Sequence, residues 1–277
     1  MTTVSIGEIL WDVFEDSEKL GGAPFNFAVH ASRLGHDVVF VSAVGDDARG
    51  RSALSRAAGL GLRTDFIQVV PGAATGTVTV QVDAAGQPDF RIHRPAAYDA
   101  LQLNDAELQR IADLQPAWLY FGTLFQLLPS GREQVRRLAR ALSGTRVFYD
   151  VNLRKDSYTP ELVGELLAEA DVVKLNEDEQ KLLAPTFGGE WMAGAVTRGG
   201  NGCEVWTGSD HAEVPGYPVK VADTVGAGDA FAAGFLHGLS QGWSAARCGA
   251  FANRLGAIVA SRSGGAPEWS PEELEDR

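Results

Sequence analysis

The apolar positions of this chain fall into short runs separated by polar, helix-spaced segments. Residues 38–44, 118–121, 146–151, 172–175 and 195–197 are almost unbroken apolar stretches. Runs of that length, bounded by glycine or polar residues, predict strands buried on both faces. Residues 27–34, 49–60, 104–114, 130–142 and 159–169 instead carry apolar side chains every three to four positions and predict helices. Pro24 suits a first helical turn, Gly35 a helix stop, and Asn104 an N-cap. Residues 4–10 predict a first strand, residues 15–19 a charged break, and residues 203–206 a further pairing strand. Alternation of strand and helix implies right-handed crossovers and a mostly parallel sheet. Residues 75–82 break this pattern: they alternate polar and apolar, a turn is predicted over 83–89, and 90–93 reads as a returning strand. That hairpin predicts a small sheet with one wet face, set outside the main core as a lid. The tail, 221–261, reads as a glycine turn followed by two small-residue helices.

Ligands of parallel sheets gather beyond the carboxyl ends of the strands. Asp12, Asn152, Arg154, Asn176, Glu179 and Gly199 all stand just past predicted strands. The most telling stretch is Asp223-Thr-Val-Gly-Ala-Gly-Asp229, followed by a helix-competent run from Ala230. A glycine turn that opens a helix exposes unpaired N–H groups at the positive end of the helix dipole, a site suited to phosphate. Beside such a phosphate, Asp229 could accept a proton from an attacking hydroxyl. Asp12 and Asn26 suit a polyol, because a carboxylate and an amide can bind adjacent hydroxyls. Each feature also has a plainer reading. The turn can be an acidic helix start, Asn176 with Glu179 a capping box, and Asp12 a strand-end turn residue.

Composition narrows the class. The chain has 277 residues, 45% apolar and 22% charged, enough for one large α/β unit. Its formal net charge is −12, and only five of its 24 cations are lysine, so nucleic acid and anionic membrane surfaces are poor partners. No apolar run has the length of a membrane span. Residues 1–8 read directly as a strand without a signal-peptide pattern. Cys203 and Cys248 are isolated, which argues against a zinc site and fits small core residues in a reducing cytoplasm. Gly-Lys-Ser/Thr is absent, no Gly-x-Gly-x-x-Gly follows a strand, and the Gly-x-Ser-x-Gly at 238–242 ends a helix-competent run instead of following a strand. A Walker loop, an esterase elbow and a dinucleotide fold therefore lack support.

Four motifs together resemble the ribokinase-like (PfkB) carbohydrate kinases. Gly21-Gly-Ala-Pro-Phe-Asn-Phe-Ala28, with Gly35 and Gly45, is similar to the family's N-terminal signature, and 223–231 to its C-terminal one. Asn176-x-x-Glu179 and Thr197-x-Gly-x-x-Gly202 are similar to its metal and nucleotide motifs. The resemblance spans residues 4–268. It implies a three-layer α/β/α fold with a mostly parallel central sheet and a small β lid contributed by about residues 11–20 and 74–98. It also implies ATP-dependent phosphorylation of a sugar hydroxymethyl. Asp229 is then the catalytic base, with the N–H groups of Gly226, Ala227 and Gly228 as an anion hole. Asp12, Gly22 and Asn26 would hold the sugar. Asn176 and Glu179 would organise Mg2+ largely through water. Thr197, Gly199, Gly202, Gly228 and Asn253 would line the nucleotide together with Asn176. Asp223 would serve a monovalent cation, K+, beside the anion hole. Gly7-Glu8 with Asp12, Asp150-x-Asn152-x-Arg154 and Arg91-x-His-Arg94 look most like the fructokinase branch. Arg94, Asn152 and Arg154 join the sugar site on this reading. An arginine there could equally face an acidic sugar such as 2-keto-3-deoxygluconate, or form a surface ion pair. Ribose or a nucleoside is a further option, and a non-catalytic sugar-binding protein is the alternative of another class. A homodimer through the lid is the expected assembly. Two departures stand out: Arg198 replaces the family's usual leucine, and the segment between 183 and 195 is too short for the usual helix.

Overall fold

In chain order, the computed structural model describes residues 1–82, 88–184 and 188–274. The first half carries β1 (Thr2–Ile6), β2 (Leu10–Val13), β3 (Glu18–Gly21), α1 (Ala23–Arg33), β4 (Asp37–Gly45), α2 (Ala48–Gly59), β5 (Ile67–Val70), β6 (Gly76–Val82) and β7 (Pro88–His93). Next come α3 (Asp105–Ala112), β8 (Trp118–Gly122), α4 (Pro129–Ala141), β9 (Arg146–Asp150), α5 (Pro160–Ala168), β10 (Val172–Asn176) and α6 (Glu177–Leu183). The chain closes with β11 (Ala193–Thr197), β12 (Cys203–Thr207), β13 (Asp210–Val214), α7 (Ala227–Ser240) and α8 (Ala245–Ala260).

The large sheet runs β13-β12-β11-β10-β9-β8-β1-β4-β5. It is parallel from β11 to β5 and antiparallel only at the β12–β13 edge. Its strands are apolar at successive positions because both faces are covered. Phe40, Tyr120 and Phe148 point into one core with α1, α2, α7 and α8. Their neighbours Val39, Val41, Phe121 and Tyr149 point into the other, with α3, α4 and α5. The period of two along each strand thus divides one apolar run between two cores, which gives the three layers. Phe27 of α1 stacks on Tyr120 at 3.6 Å between ring centroids, fixing the helix whose start carries the Gly21–Asn26 motif.

The second sheet has the order β3-β2-β6-β7. Its strands come from the two stretches assigned to a lid, although the turn expected at 83–89 falls largely outside the described residues. Trp11 anchors this sheet to α2: its indole N–H donates to the Arg49 carbonyl at 3.2 Å, and the Arg56 guanidinium lies 5.0 Å from its ring centre.

Four expectations need correction. Residues 4–10 are not one strand: β1 ends at Ile6, Gly7 turns the chain at φ 153°, and Leu10 begins the second sheet. Part of the charged break at 15–19 is β3, an edge strand antiparallel to β2. Its charges read as loop but suit an edge that must stay wet. β5 and the polar edge strand β13 went unforeseen. The final glycine helix starts at Ala227 rather than Ala230, so Ala227 and Gly228 belong to its first turn. As expected, no helix fills the described residues between α6 and β11. Cys203 and Cys248 are both buried free thiols.

Candidate active site

Gly226 caps α7 in the left-handed region at φ 78°. A β-carbon there would come 2.3 Å from the Gly265 carbonyl oxygen, so the turn closes only with glycine. The opening turn of a helix leaves its N–H groups without intrahelical acceptors. One of the three donors assigned to the anion hole is already engaged: the Ala227 N–H reaches the Thr224 carbonyl at 3.3 Å. Gly226 and Gly228 line a cleft of about 310 Å³ together with Asp229.

Asp229 is 6% exposed, and Asn26 Nδ2 donates to its Oδ2 at 2.8 Å. Burial, and then the charge of Asp150, push its carboxyl up to about 6 against the opposing pull of Asn26, Lys174 and Arg154. Asp12, Gly22, Asn152 and Arg154 line the same cleft. Gly22 precedes α1 at φ 109°, where a side chain would strike the Glu8 carbonyl. Asn152 takes φ 38° at the exit of β9, a strained conformation of the kind that gathers at binding sites. Burial raises Asp12 to about 6 as well, against Arg154 and Lys19.

Two groups were given no role by the sequence. Glu8, at the crossing between the sheets, is 3% exposed, and its Oε2 is a buried acceptor with no protein donor. Burial outweighs its main-chain donors and Arg154, and raises its carboxyl to about 7. Asn26 Oδ1 is likewise a buried acceptor without a donor. Both residues line the cleft, so both oxygens suit hydroxyl donors from a ligand. The second group is Lys174, from the middle of β10. Its Nζ lies 3.0 and 3.2 Å from the Asp150 carboxylate, both residues are buried, and Tyr120 Oη donates to Asp150 at 3.0 Å. Burial alone would lower Lys174; the charges of Asp150, Glu179 and Asp229 overcome it and raise the ammonium. That ammonium lies 3.2 Å from where a β-carbon on Gly228 would stand, directly under the turn.

Asn176 and Glu179 form the reciprocal capping box of α6. Glu179 Oε2 accepts the Asn176 N–H at 2.8 Å and Oε1 accepts the Leu153 N–H at 2.7 Å. Each oxygen keeps a second lone pair, so this donor set fits Mg2+ held through its water shell rather than directly. Among the described residues no cluster of three or more His, Cys, Asp or Glu is placed to hold a metal. Thr197 ends β11 and lines the cleft, while Gly199 and Gly202 bound the short turn into β12. Asn253 ties α8 to the chain after β13, donating to the Val214 and Pro215 carbonyls at 3.4 and 3.1 Å.

Arg94 does not join the cleft lining. Its guanidinium forks onto the buried Asp99 and donates to the Leu124 carbonyl at 2.9 Å, holding the second sheet to the main body. Asp223 also departs from expectation. Its Oδ1 accepts the Val225 N–H at 3.1 Å, and its Oδ2 accepts the Gly264 N–H at 2.9 Å and Lys19 Nζ at 3.1 Å. An ammonium thus occupies the carboxylate assigned to K+.

A phosphate-suited helix start, a buried carboxylate beside it and hydroxyl acceptors opposite define a small-molecule phosphotransferase on an α/β/α frame. Residues 4–272 match the model of the pfkB family of carbohydrate kinases, and the chain belongs to that family. An uncharacterized sugar kinase from Pyrococcus horikoshii, solved in complex with ATP, is 28% identical in sequence and superposes with a TM-score of 0.85 over 96% of this chain and 94% of that one. A fructokinase from Xylella fastidiosa with bound ATP is 27% identical, with a TM-score of 0.82 over 95% and 93% of the two chains. Fructokinase-1 of Oryza sativa subsp. japonica is 30% identical over 92% of this chain and 86% of its own length.

Proposed function

We infer that this sugar kinase transfers the γ-phosphoryl group of ATP to a hydroxymethyl of fructose. The observation that carries the reading is Asp229, held by Asn26 within a cleft that also presents the α7 opening turn and the unpaired acceptors of Glu8 and Asn26. Asp229 takes the hydroxyl proton as the new oxygen–phosphorus bond forms. The bond to the bridging oxygen breaks, and ADP leaves. The Gly226 and Gly228 N–H groups, with Lys174 beneath them, meet the negative charge on the transferred group. Glu8, Asp12, Asn26 and Asn152 bind the sugar hydroxyls. Thr197, Gly199, Gly202 and Asn253 border the nucleotide. Asn176 and Glu179 would hold the waters of Mg2+, which supplies charge neutralisation for the triphosphate. The second sheet, with Val78, Phe90 and Ile92 lining the cleft, closes over the sugar and excludes water.

Charge in the cleft favours a neutral sugar over an acidic one. Glu8, Asp12 and Asp229 line it against Arg154 and Lys174, and Lys174 is already paired with Asp150. The test is an ATP-coupled screen over fructose, ribose, 2-keto-3-deoxygluconate and common nucleosides. Fructose is expected to give the highest kcat/KM; preference for the keto acid would overturn the assignment. Sugar binding without ADP release would instead identify a non-catalytic sugar-binding protein. The pH profile follows from Asp229, which must be ionised to accept a proton. Below about 6, the value to which its carboxyl is raised, kcat is expected to fall about tenfold per pH unit and to level off above it. A profile flat from pH 5 to 8 would remove Asp229 as the base.

A further inference from the structure

Lys19 lies on β3 of the second sheet, yet its ammonium is spent more than two hundred residues away in sequence. Nζ donates to Asp223 Oδ2 at 3.1 Å and to Ser263 Oγ at 2.7 Å, and it stands 5.1 Å from the Phe14 ring centre. Asp223 opens the turn that leads to Gly226. Ser263 opens the loop whose Gly264 N–H also binds Asp223. The next residue, Gly265, backs directly onto Gly226, and it packs so closely on the Asn26 amide that a β-carbon there would come 2.4 Å from Nδ2. Its carbonyl is further fixed by His30 Nε2 at 3.0 Å. Asn26 in turn holds Asp229. One ammonium therefore pins together two loops that between them set the anion turn and the carboxylate.

We propose that Lys19 is a positioning residue whose tethered ammonium takes the place of a free monovalent cation, holding the 223–228 turn against the 263–265 loop. An ammonium and a potassium ion are nearly equal in size and charge, and both are satisfied by carboxylate, hydroxyl and carbonyl oxygens. A cation delivered by the chain is present at unit occupancy whatever the salt. Because it arrives on β3, it also ties the stance of the second sheet to the geometry of the turn. The Asp223 and Ser263 oxygens do not fit a free K+ while Lys19 binds them.

The inference rests on 226–229 being the phosphoryl site, so its test has one arm that needs no turnover. Wild type, Lys19→Met and Lys19→Arg are compared in choline, potassium and ammonium chloride at equal ionic strength, by ADP release and by thermal unfolding. Wild type is expected to show the same kcat and the same Tm in all three salts. Lys19→Met is expected to lose roughly tenfold to a hundredfold in kcat in choline, the scale of a displaced reacting geometry. Potassium or ammonium should restore much of that loss and raise its Tm. Lys19→Arg, which keeps the charge, should remain active in choline. Two results would overturn the proposal: a wild-type Tm or kcat that climbs with potassium, or a folded Lys19→Met whose Tm ignores both ions. If no variant turns over sugar in any salt, the kinase reading fails, and the unfolding comparison still judges Lys19.

Discussion

Asp229→Asn is expected to lower kcat about 10²- to 10⁴-fold, the range for loss of a positioned general base. The substitution preserves shape and removes only the ability to hold a proton. Asn26 can still donate to the new amide oxygen, so the turn and the cleft should stand, and Tm should change little. Removing a buried carboxylate raised to about 6 could even stabilise the fold slightly above that pH, because the wild-type group must ionise out of water. Sugar KM is expected to change far less than kcat, since Glu8, Asp12 and Asn152, the hydroxyl acceptors proposed above, remain. ADP release coupled to fructose reads both constants. Full activity in this variant would remove the base assignment, and a raised KM with kcat unchanged would make Asp229 a binding residue instead.

The largest stability loss is expected from Asp150→Leu. Asp150 is 0% and Lys174 5% exposed, so the change strands an ammonium in the sheet. Breaking a buried pair by removing one partner costs about 3–5 kcal/mol, whereas replacing both by apolar residues is often nearly neutral. For a chain of this size that corresponds to a drop of roughly 10 °C in Tm. Asp150→Leu combined with Lys174→Met should recover most of the Tm but not the kcat, because the charge beneath Gly228 is gone. Thermal unfolding and ADP release on the three proteins separate the two effects. A double variant that regains both would show that the pair serves the fold alone.

Much of the fold could be read from the chain because a parallel sheet buried on both faces writes itself as apolar runs. The runs at 38–44, 118–121 and 172–175 are strands of that sheet. What escaped has a common cause. β3 and β13 are edge strands with charged side chains, and an edge need not be apolar, so they look like loops. The break at Gly7 is invisible because the strands on either side are equally apolar, and only the path of the chain shows that they serve different sheets. The 223–229 turn was legible because glycine, small residues and an acid at a helix start have few other uses together. Lys174 left a signal that went unused: a lysine inside the apolar run Val172-Val-Lys-Leu175 must have a buried partner. Arg94 misled for the opposite reason. A sequence records an arginine near a site, but not that Asp99, five residues on, already takes its fork.

The cleft draws on residues between 8 and 26, on 152 and 154, on 174 and 176, and on 224–229, delivered by several different strands and helix starts. No contiguous fragment carries a working half, so activity cannot be divided between separately expressed pieces without losing the sheet that aligns them. Part of the apolar wall is different: Val78, Phe90 and Ile92, which line the cleft along with Leu10 and Leu124, come from the one antiparallel pair β6–β7. Exchanging that two-stranded ribbon would thus reshape one wall of the cleft while Glu8, Asp12, Asn26 and Asn152, carried on other elements, stay where they are.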